Sequence, residues 1–364
     1  MAYYPAPCGL VKAGFANTVP DLRPELHDFL TLARLTGMQG AHQQGGHKLH
    51  YGDLISIIVP VFNRADRIGR SVGSLCFQSY RNIEIILVDD CSTDDLPAAV
   101  AALNDPRVRI IRRATNGGAG AARNTGVAAA KSDWIAFHDS DDICVFDRIE
   151  RQVHALLALP PAHVGVYSSS LFYSQATEAT FAQADAFLKP HPYEKRALSG
   201  DAYPDTVLMN FINVPTMMLR KSAFDAAGGF DERLRNNEDW DFTLRVTRLG
   251  HFGFLPEPLY LTVRQLPKDA VAGHISMNDH YSARSFVTVT GKLRHAGVPD
   301  ATLGTHYIAA ARYLMRIGKP AMASRYLGHV VTATPLSLAA WRLMLLCRVP
   351  KLYAWLRRMR RPAA

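Results

Sequence analysis

Three carboxylates stand within four residues at the end of an apolar run, where "WIAFHDSDD" closes on Asp139, Asp141 and Asp142. Two such charges about 4 Å apart repel each other by roughly 4 kcal/mol at an effective dielectric constant near 20. A hard divalent cation removes this repulsion, and Mg²⁺ or Mn²⁺ commonly binds one or two carboxylates together with substrate phosphates. The cluster therefore indicates a site for a divalent cation and a diphosphate. The alternative is a solvated loop whose aspartates cap the next helix.

A second acidic pair, Asp89 and Asp90, ends the apolar run "IEIILVDD". A carboxylate at a strand end can accept hydrogen bonds from a nucleobase or a ribose hydroxyl. It can equally support the following turn, "CSTDD", in which Ser92 and Asp94 are the expected caps of a helix over 95–103. Both interpretations stay open at the level of the sequence.

Glu238 and Asp239 form a third acidic site at the predicted start of a helix. The helix macrodipole favours carboxylates in the first turn by about 0.3–1 kcal/mol, which is a sufficient structural reason for them. The functional interpretation is a general base that removes a proton from an attacking hydroxyl. Phe242, Val246 and Leu249 predict the buried stripe of this helix, and Gly250 its C-terminal cap.

These acidic sites need a scaffold, and the surrounding sequence predicts strands that alternate with helices. The predicted strands cover 55–62, 83–90, 108–113, 133–139, 164–173 and 213–220. Such alternation indicates a mostly parallel sheet with right-handed crossovers, in which ligands bind beyond the carboxyl ends of the strands. Asn63, the Asp89–Asp90 pair and the Asp139–Asp142 cluster all follow strands, so we expect them at one edge.

The glycine-rich segment "NGGAGAARNTG" contains neither a GxGxxG fingerprint nor a GxxxxGK[ST] loop. Dinucleotide binding and Walker-type phosphate binding are therefore poorly supported. Gly117, Gly118 and Gly120 are expected to permit a tight turn or a close approach of the backbone.

The composition is that of a globular protein, with 364 residues of which 48% are hydrophobic and 20% charged. The five cysteines are scattered and form no CxxC pair, which argues against a disulfide framework or a zinc site and for a reducing compartment. The first residues lack a signal-peptide pattern, and no run of 18 uncharged apolar residues is present. We therefore expect a cytoplasmic protein, soluble or peripheral on the cytoplasmic face of the membrane.

Positive charge is concentrated at the C-terminal end, where residues 301–364 contain eleven lysines and arginines and no acidic residue. Subtracting these eleven from the net charge of +9 leaves −2 on the first 300 residues, which argues against a nucleic acid as partner of the whole chain. From Leu338 to Met359 tryptophans and leucines mix with arginines, interrupted by Pro350. This pattern suits an interfacial helix on anionic lipid, and the alternative is a helical pair packed on the main domain.

Three segments together resemble glycosyltransferase family 2, whose members have the GT-A fold, a Rossmann-like sheet flanked by helices. The segments are "ISIIVPVFNRADRIGRSVGSLCFQSYRNIEIILVDDCSTDD", "RNTGVAAAKSDWIAFHDSDD" and "GGFDERLRNNEDWDFTLRV". The resemblance covers about residues 54–265 and implies a catalytic domain there. Residues 1–53 are then an N-terminal extension with a helix over 21–37 and a linker whose His42, His47 and His50 we expect to be solvated. Residues 266–364 are a helical, basic C-terminal region.

The resemblance implies a nucleotide site around Pro60, Phe62, Asn63 and the Asp89–Asp90 pair. The first three match the "VPxYN" segment near the nucleotide base, although Phe62 replaces the usual tyrosine and lacks its hydroxyl. Asp90 matches the aspartate that contacts uracil, with Asp89 beside it.

The resemblance also implies a metal site and a catalytic base. Asp139-Ser140-Asp141 matches the DxD motif, with Asp141 as principal metal ligand, Asp139 facing the ribose or the metal, and Asp142 in support. His274 is a further candidate for the metal or the diphosphate, and a surface-loop histidine is the alternative. Glu238-Asp239 matches the "ED" motif, in which Asp239 is the base.

The implied activity is that of an inverting glycosyltransferase that depends on Mg²⁺ or Mn²⁺. Its donor would be a nucleotide sugar, a UDP-sugar in first place, and its acceptor a glycan or a lipid-linked sugar of cell-surface polysaccharide or glycoconjugate synthesis. Absence of the QxxRW signature favours the addition of one or a few sugars. A sugar nucleotidyltransferase and a catalytically degenerate scaffold that binds nucleotide sugars are the two rivals.

Overall fold

The computed structural model describes residues 49–175, 189–190, 199–265 and 278–359. They divide into two compact units. The first unit contains the described residues up to Glu232 and those from Phe242 to Gln265, and the second contains Arg233–Asp241 and 278–359. Segment 233–241, expected within the catalytic domain, thus groups with the C-terminal residues. The predicted helix over 21–37, His42, His47 and His274 lie outside the described residues.

The described part of the first unit contains one sheet of nine strands. In chain order they are β1 (Ile55–Val61), β2 (Ile83–Asp89), β3 (Val108–Arg112), β4 (Trp134–Phe137), β5 (Ile143–Cys144), β6 (His163–Gln175), β7 (Lys189–Pro190), β8 (Met217–Arg220) and β9 (His251–Gln265). The spatial order is β3-β2-β1-β4-β8-β6-β9-β5, with β7 beside β6.

The sheet is mostly parallel, as expected, since β6 and β9 of its second half also pair in parallel, and antiparallel pairs enter only in that second half. β3, β2, β1 and β4 are mutually parallel, whereas β8 is antiparallel to β4 and β6, and β5 is antiparallel to β9. Regular strand–helix alternation, which predicts parallel pairing, ends after the fourth strand. Part of the strand predicted over 213–220 is a 3₁₀ turn, Val214–Thr216, ahead of β8.

Helices cover both faces of this sheet. They are α1 (Ala65–Cys76), α2 (Leu96–Ala101), α3 (Ala119–Ala128), α4 (Arg148–Ala158), α5 (Tyr203–Leu208), α6 (Lys221–Ala226) and α7 (Glu238–Val246), the last of which begins in the second unit. Alternate residues of β1 point to opposite sides, with Ile57 and Val59 in one hydrophobic core and Ile58 in the other. Gly126 of α3 allows close packing there, since a Cβ would stand 2.4 Å from Ile58 Cγ2.

Two predicted helix caps are wrong. Asp95, and not Ser92 or Asp94, caps α2, because its carboxylate accepts a hydrogen bond from the Ala98 amide. Asp94 instead accepts at 2.8 Å from the amide of Ala65, the first residue of α1. The turn "CSTDD" therefore joins the beginnings of two helices that are distant in sequence.

The predicted end of α7 is also wrong. The helix ends at Val246, and Leu249 lies beyond it with 46% of its surface exposed, although Phe242 and Val246 are buried as predicted. Gly250 does not cap the helix. It allows close contact between two chain segments, since a Cβ would lie 2.5 Å from a methyl carbon of Val164.

The described part of the second unit is helical. After the first turn of α7 it contains α8 (Asp279–His295), α9 (Gly304–Arg316), α10 (Pro320–Ala333), α11 (Leu338–Arg348) and α12 (Pro350–Met359). Pro350 stands at the first position of α12, where its missing amide donor costs nothing, so it separates the two helices as predicted. Within the described residues, none of the helices combines the length and apolar character that crossing a bilayer requires.

Candidate active site

The parallel strands place the predicted polar residues along one edge of the sheet. β1 pairs in parallel with β2 and β4, so the residues after Val61, Asp89 and Phe137 leave the sheet on the same side. Asn63 and Cys91, which follow the first two of these strands, have φ angles of 51° and 71°. Non-glycine residues rarely adopt this left-handed conformation, and where they do it often marks a functional loop.

Asp139 and Asp141 each keep part of the carboxylate open to solvent. Their side chains are 29% and 28% exposed. Arg123 of α3 donates to Asp139 Oδ1 at 2.8 Å, and the Arg64 guanidinium lies 3.6 Å from Asp141 Oδ2. Arginines from two other segments thus offset part of the negative charge, and neither was singled out in the sequence because both are distant from the acidic cluster along the chain.

Asp142, the third carboxylate, is buried and fastens the cluster to β9. Its Oδ1 accepts at 2.9 Å from the Val263 amide, and the Tyr260 hydroxyl also hydrogen-bonds to it. Burial, and then the charges of Asp141 and Asp139, raise the pKa of Asp142 well above its usual value. These contacts hold Asp142 against β9, and its supporting role in a metal site stays a prediction.

A buried layer of polar side chains holds the backbone of the acidic cluster. The Tyr260 hydroxyl accepts from the Asp139 amide at 3.0 Å, and the Ser71 hydroxyl donates to the Asp139 carbonyl at 3.0 Å. His138 Nε2 lies 3.0 Å from Ser71 Oγ, and Arg148 Nη1 lies 3.5 Å from His138 Nδ1. Burial and the charge of Arg148 lower the pKa of His138 far below its usual value, so the imidazole is neutral, and these contacts fit a proton on Nε2.

Asp90 closes the glycine-rich turn. Its Oδ1 accepts from Arg113 at 2.5 Å and from the Gly117 amide at 2.9 Å, and its Oδ2 accepts from the Gly118 amide at 2.6 Å. Gly118 has a φ angle of 85°, a conformation that favours glycine, and the expected tight turn is present. The side chain is buried and supports the turn, while its predicted contact with a nucleobase stays a prediction.

Asp89 and Asn63 hold the neighbouring loop. Both carboxylate oxygens of Asp89 are engaged, one by the Ser92 amide and the other by Arg112, each at 2.7 Å. Asn63 accepts at 2.8 Å from the Thr93 amide. The side chains predicted to bind the nucleotide therefore organise the loop that would surround it, and their direct contact with a ligand stays a prediction.

Phe62 is the apolar member of the predicted nucleotide site. It follows β1 directly and exposes 45% of its surface, whereas Pro60 lies within the strand and is partly buried. An aromatic ring left exposed at a polar edge can gain stability when a flat ligand covers it.

The acidic cluster fits a divalent cation through its oxygen ligands. Burial, and then the charge of Asp139, raise the pKa of Asp141, so negative charge at this position is not fully compensated by Arg64. Among the described residues no three histidine, cysteine or acidic side chains gather so as to hold a metal by themselves. A cation bound to Asp139 and Asp141 would therefore need its remaining ligands from a substrate, as the pattern of the sequence also indicates.

Glu238 and Asp239 begin α7, as predicted, and group with the second unit. Both side chains are partly buried, and Asp239 Oδ1 accepts from the Trp240 amide at 2.8 Å. Asn237, just before the helix, has a φ angle of 54°. Within the second unit Trp240 packs on Phe286 and His306, so that the start of α7 is anchored beside the two carboxylates.

Comparison with known proteins finds a family model that matches just under half of the chain. Residues 56–225 match the model described as Glycosyl transferase family 2. An uncharacterized glycosyltransferase of Rickettsia typhi is 29% identical over 63% of this chain and 68% of its own length. The UDP-Glc:alpha-D-GlcNAc-diphosphoundecaprenol beta-1,3-glucosyltransferase WfaP of Escherichia coli is 42% identical over 28% of this chain and 41% of its own length.

A solved structure has the same fold. TarS residues 1–349 from S. aureus superpose with a TM-score of 0.52 and 18% identity, over 81% of this chain and 87% of that one. The same protein in complex with UDP-GlcNAc gives a TM-score of 0.50 over the same shares of the two chains. The mixed sheet flanked by helices is the GT-A fold, and this part of the sequence-based expectation is confirmed.

Proposed function

Residues 56–225 match the model of glycosyltransferase family 2, and we propose that the chain is a glycosyltransferase that moves a sugar from a UDP-sugar to a hydroxyl group with inversion at the anomeric carbon. The acceptor would be a glycan or a lipid-linked sugar of cell-surface polysaccharide or glycoconjugate synthesis. The observation that carries the proposal is the edge of the sheet where Asp139 and Asp141 stay partly open while Asp90 and Asp89 close the adjoining loops.

Two observations support UDP as the nucleotide. The Escherichia coli relative is named for a UDP-Glc donor, and TarS has been solved with UDP-GlcNAc. In this chain the exposed ring of Phe62 and the loop held by Asn63 and Asp90 would bind the uridine.

Asp141 and Asp139 would hold Mg²⁺ or Mn²⁺, and the bound cation would neutralise charge on a diphosphate leaving group. Arg64 and Arg123 already contact these carboxylates and carry donors suited to phosphate oxygens. We infer that they turn from the carboxylates to the diphosphate when the donor binds. The role of these arginines is to position the leaving group.

Asp239 would act as the general base, with Glu238 beside it. It accepts the proton of the acceptor hydroxyl while the hydroxyl oxygen bonds to the anomeric carbon. The bond from that carbon to the diphosphate oxygen breaks, and UDP leaves with the electron pair. One base and one displacement give inversion, in line with the family resemblance.

The proposal is tested by a thermal-shift screen of the full chain against nucleotide sugars with Mn²⁺, followed by measurement of UDP release from the donor that binds. Asp239→Asn should retain UDP affinity and lose at least about 100-fold in turnover, because only the base is removed. Asp225→Asn, at an exposed carboxylate, is the matched control. Normal turnover of the Asp239 variant would refute the base assignment, and binding without any turnover by the wild type would favour the degenerate scaffold.

We also propose that α11 and α12 contact an anionic membrane surface, so that the protein works at the cytoplasmic face. Leu338, Trp341 and Leu345 form an exposed apolar stripe on α11 at spacings of three and four residues. Leu352, Trp355 and Met359 repeat this spacing on α12, and the flanking basic residues suit anionic headgroups. The diphosphoundecaprenol in the name of the Escherichia coli relative supports a lipid-linked acceptor.

Flotation with vesicles of phosphatidylglycerol tests this contact. The double variant Trp341→Ser, Trp355→Ser should float less than the wild type, because two interfacial anchors are lost. Phe77→Ser, an exposed aromatic residue at the end of α1, is the control. Undiminished flotation of the double variant would exclude these stripes as the contact.

A further inference from the structure

The second unit contains a pocket whose wall is unusually rich in arginine. It has a volume of about 490 Å³ and lies among α9, α11 and α12. Four guanidinium groups contribute to its wall, from Arg312 and Arg316 of α9, Arg342 of α11 and Arg357 of α12. The volume falls within the range of about 300–1,000 Å³ typical of small-molecule sites.

The positive charge of this wall is only partly compensated. Asp279 pairs with two of the four arginines, at 3.1 Å from Arg316 and 3.2 Å from Arg357. Within the described residues no carboxylate lies within the 4.0 Å ion-pair distance of Arg312 or Arg342. Three positive charges are therefore in excess. An anion in the pocket would meet this excess of positive charge and could accept hydrogen bonds from the guanidinium groups.

The remaining wall is apolar. Ala339, Leu343 and Leu346 of α11 line one part, and Tyr353 and Leu356 of α12 line another. Guanidinium groups donate paired hydrogen bonds to phosphate oxygens, whereas leucine side chains have no hydrogen-bond donor for a phosphate. A wall of both kinds therefore fits a ligand with a phosphate at one end and a hydrocarbon chain at the other.

We propose that this pocket binds the phosphate or diphosphate of a lipid, with the first part of the lipid's hydrocarbon chain against the leucines. The ligand is either the headgroup of an anionic membrane lipid or the diphosphate of an isoprenoid-linked acceptor, since both present the same chemistry. This proposal extends the membrane contact proposed for α11 and α12, and it depends on that contact for the source of the lipid. It uses none of the residues assigned to sugar transfer.

The test measures binding to the full chain by isothermal titration, with dihexanoylphosphatidic acid, farnesyl diphosphate and inorganic diphosphate as probes. Arg312→Gln, Arg342→Gln should weaken the two lipid probes by at least about tenfold, because two uncompensated donors are lost. Arg325→Gln, Arg348→Gln removes the same charge from exposed positions that do not line the pocket, and should change affinity less than about twofold. Leu346→Ser should weaken the lipid probes and leave inorganic diphosphate unchanged. Circular dichroism checks the fold of each variant.

Equal weakening in the two double variants would reduce the effect to general electrostatics and overturn the proposal. The proposal would also be overturned if inorganic diphosphate bound as tightly as the lipids, because the hydrocarbon chain of the lipid would then contribute nothing to affinity. A preference for phosphatidic acid or for farnesyl diphosphate identifies the source of the lipid and supports the site in either case. Measurement of UDP release from the donor sugar separates the lipid-binding proposal from the sugar-transfer proposal. The double variant Arg312→Gln, Arg342→Gln should release UDP at the rate of the wild type. If the wild type binds lipid phosphate but cleaves no UDP-sugar, the proposed sugar transfer is refuted and the proposed lipid binding by the pocket is supported.

Discussion

The two edges of the parallel half of the sheet use carboxylates in opposite ways. At the amino-terminal edge Glu84 stands alone and accepts from Ser56 at 2.6 Å, from the Lys131 amide at 2.7 Å and from Arg109 at 3.2 Å. Burial alone would raise the pKa of Glu84, but these hydrogen bonds outweigh it and the pKa lies below its usual value. At the carboxyl edge Asp141 has like charges beside it, and burial and Asp139 raise its pKa.

This difference distinguishes a carboxylate that the fold itself stabilises from one that we propose to bind a metal. Glu84 is stabilised in its charged form by donors already present in the fold, so it has no need of a ligand. Asp141 is destabilised in its charged form by burial and by Asp139, and the Arg64 guanidinium lies 3.6 Å from its carboxylate. A site poised to bind a cation should have this second character, because the ligand supplies the missing positive charge.

Asp141→Asn should have the largest effect, and only on function. We expect UDP release to fall by at least about 100-fold, the upper end of what the loss of a group supporting a metal costs. The melting temperature should stay the same or rise, because a like charge disappears from the cluster. Circular dichroism measures the melting temperature. A clear drop in the variant would mean that Asp141 stabilises the fold, as Glu84 does, and that the two edges do not differ in this respect.

Tyr260→Phe should affect both function and stability. The hydroxyl accepts from the Asp139 amide and hydrogen-bonds to buried Asp142, so its loss leaves two buried groups without that partner, at about 1–3 kcal/mol each. We expect a lower melting temperature and about 10–100-fold slower turnover. Tyr281→Phe, at a residue that is 39% exposed, is the control and should change neither quantity. Unaltered turnover would show that the buried layer does not position the acidic cluster.

Glu84→Gln should reverse the pattern of Asp141→Asn, with lower stability and unchanged turnover per folded molecule. Loss of the charged acceptor should cost about 1–3 kcal/mol in the free energy of unfolding by urea at pH 7. Because the folded pKa is below the unfolded value of about 4.3, the wild type should lose this contribution as the pH falls below about 5 and through the folded pKa. The variant should lack that part of the pH dependence. If the free energy of unfolding changed with pH in parallel for the two proteins, the structural role assigned to Glu84 would be contradicted.

Arg64→Gln should have the smallest effect on stability. Its ion pair with Asp141 is about a third exposed and 3.6 Å long, and such pairs contribute about 0–1 kcal/mol. If Arg64 also binds the diphosphate, the affinity for UDP with Mn²⁺ should fall several-fold while the melting temperature hardly changes. Equal UDP affinity in the variant and the wild type would confine Arg64 to charge balance in the free protein.

Local patterns were sufficient for much of the fold. The hydrophobic runs of β1 and β2 identify these strands to within one residue, because strands buried on both faces are continuously apolar. The same reasoning failed at Leu249 and Gly250, where contacts from a distant strand, and not the helix, determine the residue type. It also missed the short strand β5, whose two residues pair with β9.

The sequence by itself indicated which chemistry the acidic edge can support, since the order and spacing of "VDD" and "DSDD" favour oxygen ligands. Only the tertiary structure decided how each carboxylate is used. The partners of Asp139, Asp141 and Asp90 are Arg123, Arg64 and Arg113, which are 16 to 77 residues away in the chain. A carboxylate's charge state depends on what folding brings within a few ångströms of it, and neither local propensity nor motif spacing contains that information. The arginine pocket has the same origin, because its four guanidinium groups come from three helices.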